Sequence, residues 1–177
     1  MSTTTLRLAT SADVDTLCTL GARTFRETYY SISEPSEVDE YADEHFARAK
    51  IEGWLATPTS QTLVASLDGM DVGYAHVRAQ VTACVADRDA IELSRLYLLA
   101  SAQGHGLGAA LMRRVLAAAV AFGGRTVWLG VYDRNVRAVA FYEAWGFRQA
   151  GTREFEFGGL VYEDPVMTRA VGPADVA

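Results

Sequence analysis

Gln103-Gly104-His105-Gly106-Leu107-Gly108-Ala109 is the segment best equipped for chemistry. A β-rich run precedes it and an apolar, helix-periodic run follows. Glycines let a backbone turn tightly and bring its N–H groups close to a ligand. The helix behind them aims free N–H groups and a positive dipole end at the same point. In physical terms this is a place for a pyrophosphate. A Walker loop is excluded, because no Lys-Ser or Lys-Thr follows the glycines. Gly104, Gly106 and Ala109 fit G-x-G-x-x-A, but a dinucleotide site opens a first βαβ unit and needs an acid about 20 residues further on. Asp133 comes too late for that.

A third pattern also fits: Gln103, Gly106 and Gly108 satisfy the Gln/Arg-x-x-Gly-x-Gly/Ala loop that holds the pyrophosphate of coenzyme A. A second motif decides between the readings, Asn135-x-x-Ala138-x-x-Phe141-Tyr142-Glu143-x-x-Gly146-Phe147. The pair resembles motifs A and B of the GNAT N-acetyltransferases, in order and in separation. The runs Ile91-Glu92-Leu93-Ser94-Arg95-Leu96-Tyr97-Leu98 and Trp128-Leu129-Gly130-Val131 are similar to the PaiA-type subgroup. So are Phe25-Arg26-Glu27-Thr28-Tyr29 and Asp164-Pro165-Val166-Met167, and the likeness covers most of residues 6 to 169.

The resemblance implies one α/β domain over residues 1–170, with a GNAT-type central mixed, mostly antiparallel sheet and helices on both faces; the terminal residues 171–177 read as a disordered tail. It implies acetyl-CoA as co-substrate and direct acetyl transfer to a primary amine; no metal is expected, because the histidines and cysteines show no ligand spacing. PaiA-type members are associated with polyamines such as spermidine and spermine. Protein N-acetylation at a lysine or N-terminus stays open, as does an acetyl-CoA-binding regulatory module with little turnover. Relatives of this kind are often homodimers.

Carried over residue by residue, Leu96, Tyr97 and Leu98 match the bulged strand that binds the pantetheine arm. Gln103, Gly104, His105, Gly106, Leu107, Gly108 and Ala109 match the phosphate loop, and Asn135 matches the residue that hydrogen-bonds the arm. Tyr142 matches the tyrosine that protonates the leaving thiolate; a phenol can donate. An amine of pKa about 10.4 is neutral at pH 7 in only about one molecule in a few thousand, so a base or a held water must take its proton. Glu92 matches the position of the catalytic glutamate in histone-type members; pairing with Arg95 is the plain alternative. On the acceptor side the expected residues are Glu27, Tyr29, Glu37 and Glu40, within or beside an acidic stretch that also holds Glu34, Asp39, Asp43 and Glu44. Carboxylates there would hold a polycation, although such a stretch is commonly a solvated helix face.

The elements that must position these groups can be read from periodicity. Leu6 to Ala9 reads as a strand, followed by a helix capped by Ser11 and running to Tyr29. A second helix is predicted from Glu37 to Leu55. Strands follow at Thr62 to Leu67 and Val72 to Val77, joined by the hairpin signal Asp68-Gly69. Ala90 to Leu99 leads into the glycine loop and a helix over Ala109 to Phe122. Strand Thr126 to Val131, helix Val136 to Trp145, and strands Arg148 to Phe157 and Val161 to Thr168 complete the pattern.

Composition narrows the classes. Sixteen Lys and Arg against 22 Asp and Glu give the 177 residues a net charge of −6. That disfavours a nucleic-acid partner and biases encounter toward cations. Cys18 and Cys84 are the only cysteines, and His45, His76 and His105 fall in no metal-ligand spacing with them. The opening residues lack a signal-peptide pattern and no run suits a membrane span, which makes a cytoplasmic enzyme the expectation.

Overall fold

The computed structural model describes residues 2–176. Strand β1 (Thr4–Leu8) leads to helix α1 (Val14–Tyr29). The entry is set by Thr10, whose hydroxyl accepts from the Ala12 N–H while the Asp13 carboxylate accepts from the Thr10 N–H at 2.8 Å. The cap is therefore built by Thr10 and Asp13 rather than by Ser11. Arg7 fixes the same carboxylate at 2.8 Å and holds it below its ordinary pKa.

The long helix expected over 37–55 is two helices, α2 (Pro35–His45) and α3 (Arg48–Ala56). No proline or glycine separates them. Ala47 turns to ψ 147, and Phe46 is left 3% exposed with its ring against Phe25, Trp54 and Tyr74. The bare backbone at Gly21 admits that ring, since a Cβ there would overlap it. Burial of one large aromatic outweighs a few helical hydrogen bonds at this point.

Strands β2 (Ser60–Leu67), β3 (Met70–Ala79) and β4 (Ile91–Leu98) follow as antiparallel neighbours. Helix α4 (Leu107–Ala121), β5 (Thr126–Gly130), α5 (Val136–Ala144), β6 (Arg148–Phe157) and β7 (Leu160–Ala170) complete one seven-stranded sheet, ordered β1-β2-β3-β4-β5-β7-β6. Among the described residues only β4 and β5 run parallel. The mixed, mostly antiparallel sheet flanked by helices agrees with the expectation. Residues 171–176, expected to begin a disordered tail, fold back instead. The Val171 N–H donates to the Arg125 carbonyl at 2.9 Å, Asp175 pairs with Arg169, and Pro173–Val176 form a short 3-10 turn against α4. Ala177 lies outside the described residues. Among the described residues no helix is long and apolar enough to cross a membrane, and no cluster of His, Cys, Asp and Glu could hold a metal ion.

One buried group ties this fold to pH. His76 on β3 is 1% exposed, its Nδ1 lies 2.9 Å from the Thr62 hydroxyl, and its ring stacks on Trp54. Burial, with Arg78 and Arg95 adding to it, lowers its pKa to about 3. An unfolded histidine titrates near 6.5. Below that pH the unfolded chain binds a proton that the fold refuses; above it neither state does. Stability is thus lost as pH falls from 6.5 toward 3, by about 2 kcal/mol at pH 5. Urea unfolding of wild type and His76→Gln at pH 7 and pH 5 should show a smaller acid loss in the variant. Equal losses would remove His76 as the source.

Candidate functional site

The site begins where the sheet comes apart. β4 and β5 pair only at Ile91↔Val127 and Glu92↔Trp128, and the β3–β4 register shifts opposite Ser94. Beyond Glu92 the β4 edge that β5 would have covered is open. Backbone N–H and C=O groups there need other partners. Two cavities occupy the wedge, and Tyr97 lines both.

The larger has about 1350 Å³ of space, part of it open to solvent. Leu96, Tyr97 and Leu98 form one wall; Gln103, Gly104, Gly106, Gly108 and Ala109 form the floor; Asn135 and Tyr142 close the far side. Gly104 and Gly106 have φ of 86° and 78°, the left-handed region that glycine adopts without strain. A Cβ built on either meets no protein atom within 4 Å, so the loop leaves room above it. Helix α4 starts on Gly106, and Ala110 makes the first bond back to the Gly106 carbonyl. The N–H groups of residues 107–109 therefore have no acceptor within the helix. Arg137, in the first turn of α5, adds a cation to the same cleft. An elongated, phosphate-bearing molecule suits such a trough, and coenzyme A fits it.

Within the cleft the expected residues divide. Asn135 lines it and also caps α5, its Oδ1 accepting from the Ala138 N–H at 3.2 Å. Gln103 is held by donation from Nε2 to the Leu98 carbonyl at 3.3 Å. Leu107 is 1% exposed in the core, so only its backbone is available. His105 is exposed, its Nδ1 3.2 Å from the Gln103 carbonyl, and it is not part of the cleft wall. Tyr142 is 9% exposed, and burial together with nearby Tyr97 pushes its phenol well above the ordinary value.

The smaller cavity has about 580 Å³ of space, part of it open to solvent, and is walled by aromatics of α1, α2, β6 and β7, among them Phe25, Tyr29, Tyr41, Phe155 and Tyr162. Its polar wall is Ser94, Arg95, Arg153 and Asp164. Asp164 is 4% exposed. Burial raises its carboxyl above the ordinary value, Arg153 opposes the rise and Asp133 adds to it.

Several acceptor-side expectations land elsewhere. Tyr29 does line the small cavity. Glu27 borders the large cleft, where it accepts from the Ala100 N–H at 2.9 Å and pairs with Arg23. Glu37 and Glu40 line neither cavity; Glu37 sits over Gly158 and Glu40 faces solvent. Asp39 and Asp43 are both bound by Arg26 at 2.6 Å. Glu92 lines neither cavity. It is 3% exposed and clamped by Arg78 at 2.5 Å and Arg153 at 3.6 Å, not by Arg95. Asp164 and Arg153, which do face the cavity, are register partners across β6 and β7. Asp164 opens the Asp164-Pro165-Val166-Met167 run, but nothing in that run marks it as a site residue, and Arg153 lies in no motif.

Comparison with known proteins agrees with this geometry. The family model described as "Acetyltransferase (GNAT) family" matches residues 25–147. An uncharacterized N-acetyltransferase of Mycobacterium tuberculosis is 40% identical over 158 residues, covering 89% of this chain and 97% of that one. The PaiA N-acetyltransferase of Thermoplasma acidophilum, solved in complex with coenzyme A, has the same fold at a TM-score of 0.75 and 20% identity, covering 95% of this chain and 99% of that one. An acetyltransferase of Salmonella typhimurium, solved with its cofactor acetyl-CoA, superposes at a TM-score of 0.65 and 20% identity over 96% and 95% of the two chains.

Proposed function

This chain belongs to the acetyltransferase (GNAT) family, and we propose that its two cavities divide one reaction, the acetyl-CoA-dependent N-acetylation of a primary amine. The observation that carries this reading is the junction at Tyr97, where the phosphate-accepting trough meets a cavity holding a buried carboxylate. Acetyl-CoA would supply an activated acyl carbon at that junction. The chain's own residues then position and move protons. The trough N–H groups and Arg137 take the phosphates, and the β4 edge takes the amide-bearing arm. The amine enters from the smaller cavity. Its nitrogen forms the new C–N bond as the C–S bond breaks and the electron pair leaves with sulfur. The arriving ammonium first gives one proton to Asp164, directly or through a water; Asp164 passes it to solvent, and the lone pair is free for attack. The second proton that nitrogen sheds on becoming an amide follows the same route, and the Tyr142 hydroxyl gives a proton to the sulfur. Exchange with solvent resets both groups.

The finer expectation of spermidine or spermine needs unpaired carboxylates around the acceptor. Asp39 and Asp43 are already engaged by Arg26, and Asp164 is the single carboxylate among the residues lining the small cavity. The acceptor is therefore a primary amine that needs no set of several carboxylates, and polyamines are one arm of the test. Release of coenzyme A thiol should be saturable in acetyl-CoA when a panel of amines, amino acids, polyamines and basic peptides is supplied. Gly106→Val should raise KM for acetyl-CoA at least tenfold, because it forces a branched side chain into φ 78° at the trough floor. Acetyl-CoA binding without turnover of any acceptor would instead indicate a binding module.

A further inference from the structure

Arg95 is a half-buried cation without a counter-charge. Its Nη1 donates to the Ser94 carbonyl at 2.9 Å and its Nη2 to the Tyr41 hydroxyl at 3.0 Å. Its Nε is buried and has no partner. Among the described residues no carboxylate lies within ion-pair distance of it; the ten ion pairs of the fold involve other groups. The guanidinium lies over the Phe46 ring, 5.9 Å from its centre. Arg153 is nearly as poorly matched. Its Nε is also buried without a partner, and its one carboxylate contact, Glu92 at 3.6 Å, is shared with Arg78 at 2.5 Å. It is wedged between Trp128 and Phe155, each 5.7 Å away, and lies so close over Gly130 that a Cβ there would overlap the guanidinium. Both arginines line the small cavity.

Burying a charge is unfavourable unless something pairs with it. Two held guanidinium groups facing one cavity, against the single carboxylate Asp164 on its wall, leave a deficit of negative charge in the place where the acceptor must sit. A polycation would worsen it. Resting on the N-acetyltransferase reading above, we propose that the acceptor is an amine that also carries a carboxylate, of the α-amino-acid type with an apolar body. The carboxylate is held by Arg95 and Arg153, as planar guanidinium forks hold such groups. The aromatic wall takes the apolar part, and the amine points toward Tyr97 and the thioester. The same two cations lower the proton affinity of the bound ammonium, since a like charge nearby disfavours the charged form. Recognition and deprotonation thus use the same side chains.

The test is a comparison of matched acceptors. Thiol release is measured with aliphatic, aromatic and acidic α-amino acids, with the amines that remain when each carboxylate is removed, with the corresponding aminophosphonates, and with spermidine. At least one amino acid should exceed its decarboxylated partner at least thirtyfold in kcat/KM. Arg95→Gln and Arg153→Gln should each lower that ratio at least tenfold, mainly through acceptor KM. Arg153→Lys should recover part of it, which a purely structural role would not require. Unchanged acetyl-CoA affinity and circular dichroism exclude misfolding as the cause. Preference for aminophosphonates would move the anion from carboxylate to phosphonate and overturn the amino-acid assignment. Equal or better turnover of the decarboxylated amines or of spermidine would overturn the proposal, as would a ratio unaltered in both glutamine variants. If acetyl-CoA binds and no acceptor is turned over, the enzymatic reading fails separately. Calorimetric titration of the amino acids into the acetyl-CoA-free protein then decides. Binding that Arg95→Gln weakens tenfold supports the carboxylate site, and no binding overturns it.

Discussion

Tyr142→Phe should lower kcat by about 10²–10⁴-fold while leaving KM for acetyl-CoA within a few-fold. The phenol is placed for this by α5. Tyr142 is packed against Phe147 and faces the large cleft near Tyr97; Phe141 lines the same cleft and packs against Tyr142 and Trp145. Burial pushes the Tyr142 pKa up, so the hydroxyl keeps its proton across the whole working range and can donate it to a departing thiolate. Phenylalanine preserves the ring packing and removes only the proton. A loss in kcat with intact cofactor binding is therefore the signature of the donor role. Because the group's pKa lies above the ordinary 10, wild-type kcat should show no alkaline fall from this residue at pH 8–9. Single-turnover release of thiol, followed in both proteins, isolates the step. Wild-type rates in the variant would take Tyr142 out of the chemistry.

The cofactor half of the site was legible because its residues are neighbours in the chain. Gln103 to Ala109 and Asn135 to Phe147 are each one loop and the start or body of one helix, and helical spacing alone brings Asn135, Ala138 and Tyr142 to one cleft. The acceptor half is different. It draws Phe25 and Tyr29 from α1, Tyr41 from α2, Arg95 from β4, Gly130 from β5, Arg153 from β6 and Asp164 from β7. No spacing in the sequence joins them; the β6–β7 register and the wedge between β4 and β5 do. The irregularity opposite Ser94 matters most. In a regular strand Glu92 and Arg95, three apart, would point to opposite faces. Instead Arg95 turns into the cavity that Arg153 lines, and Arg153 is the residue that Glu92 touches from behind. The break at Phe46 was hidden for a related reason. It answers to Gly21, Phe25 and Trp54, which are distant in sequence or on another helix.

Glu92→Gln should destabilise the fold far more than it impairs the reaction. Loss of one charge from a buried cluster typically costs about 3–5 kcal/mol when the partner is left buried. Here Arg78 is 42% exposed and can turn to water, which brings the expectation down to about 2–4 kcal/mol. Arg153, at 28% exposure and wedged between rings, is the partner that stays behind. A base in direct contact with the amine would behave otherwise. Its removal would leave stability nearly intact, lower kcat by about 10²–10⁴-fold and let higher pH restore part of the rate. The clamp predicts a drop in the urea midpoint, less than a tenfold change in kcat/KM, and no alkaline rescue. Asp164→Asn gives the contrast, because that carboxylate faces the cavity and has no clamp of arginines behind it. Its loss should appear in kcat and in the acid limb of the pH profile. A Glu92→Gln protein of wild-type stability and crippled kcat would return the base to β4 and leave Asp164 as a wall of the acceptor cavity.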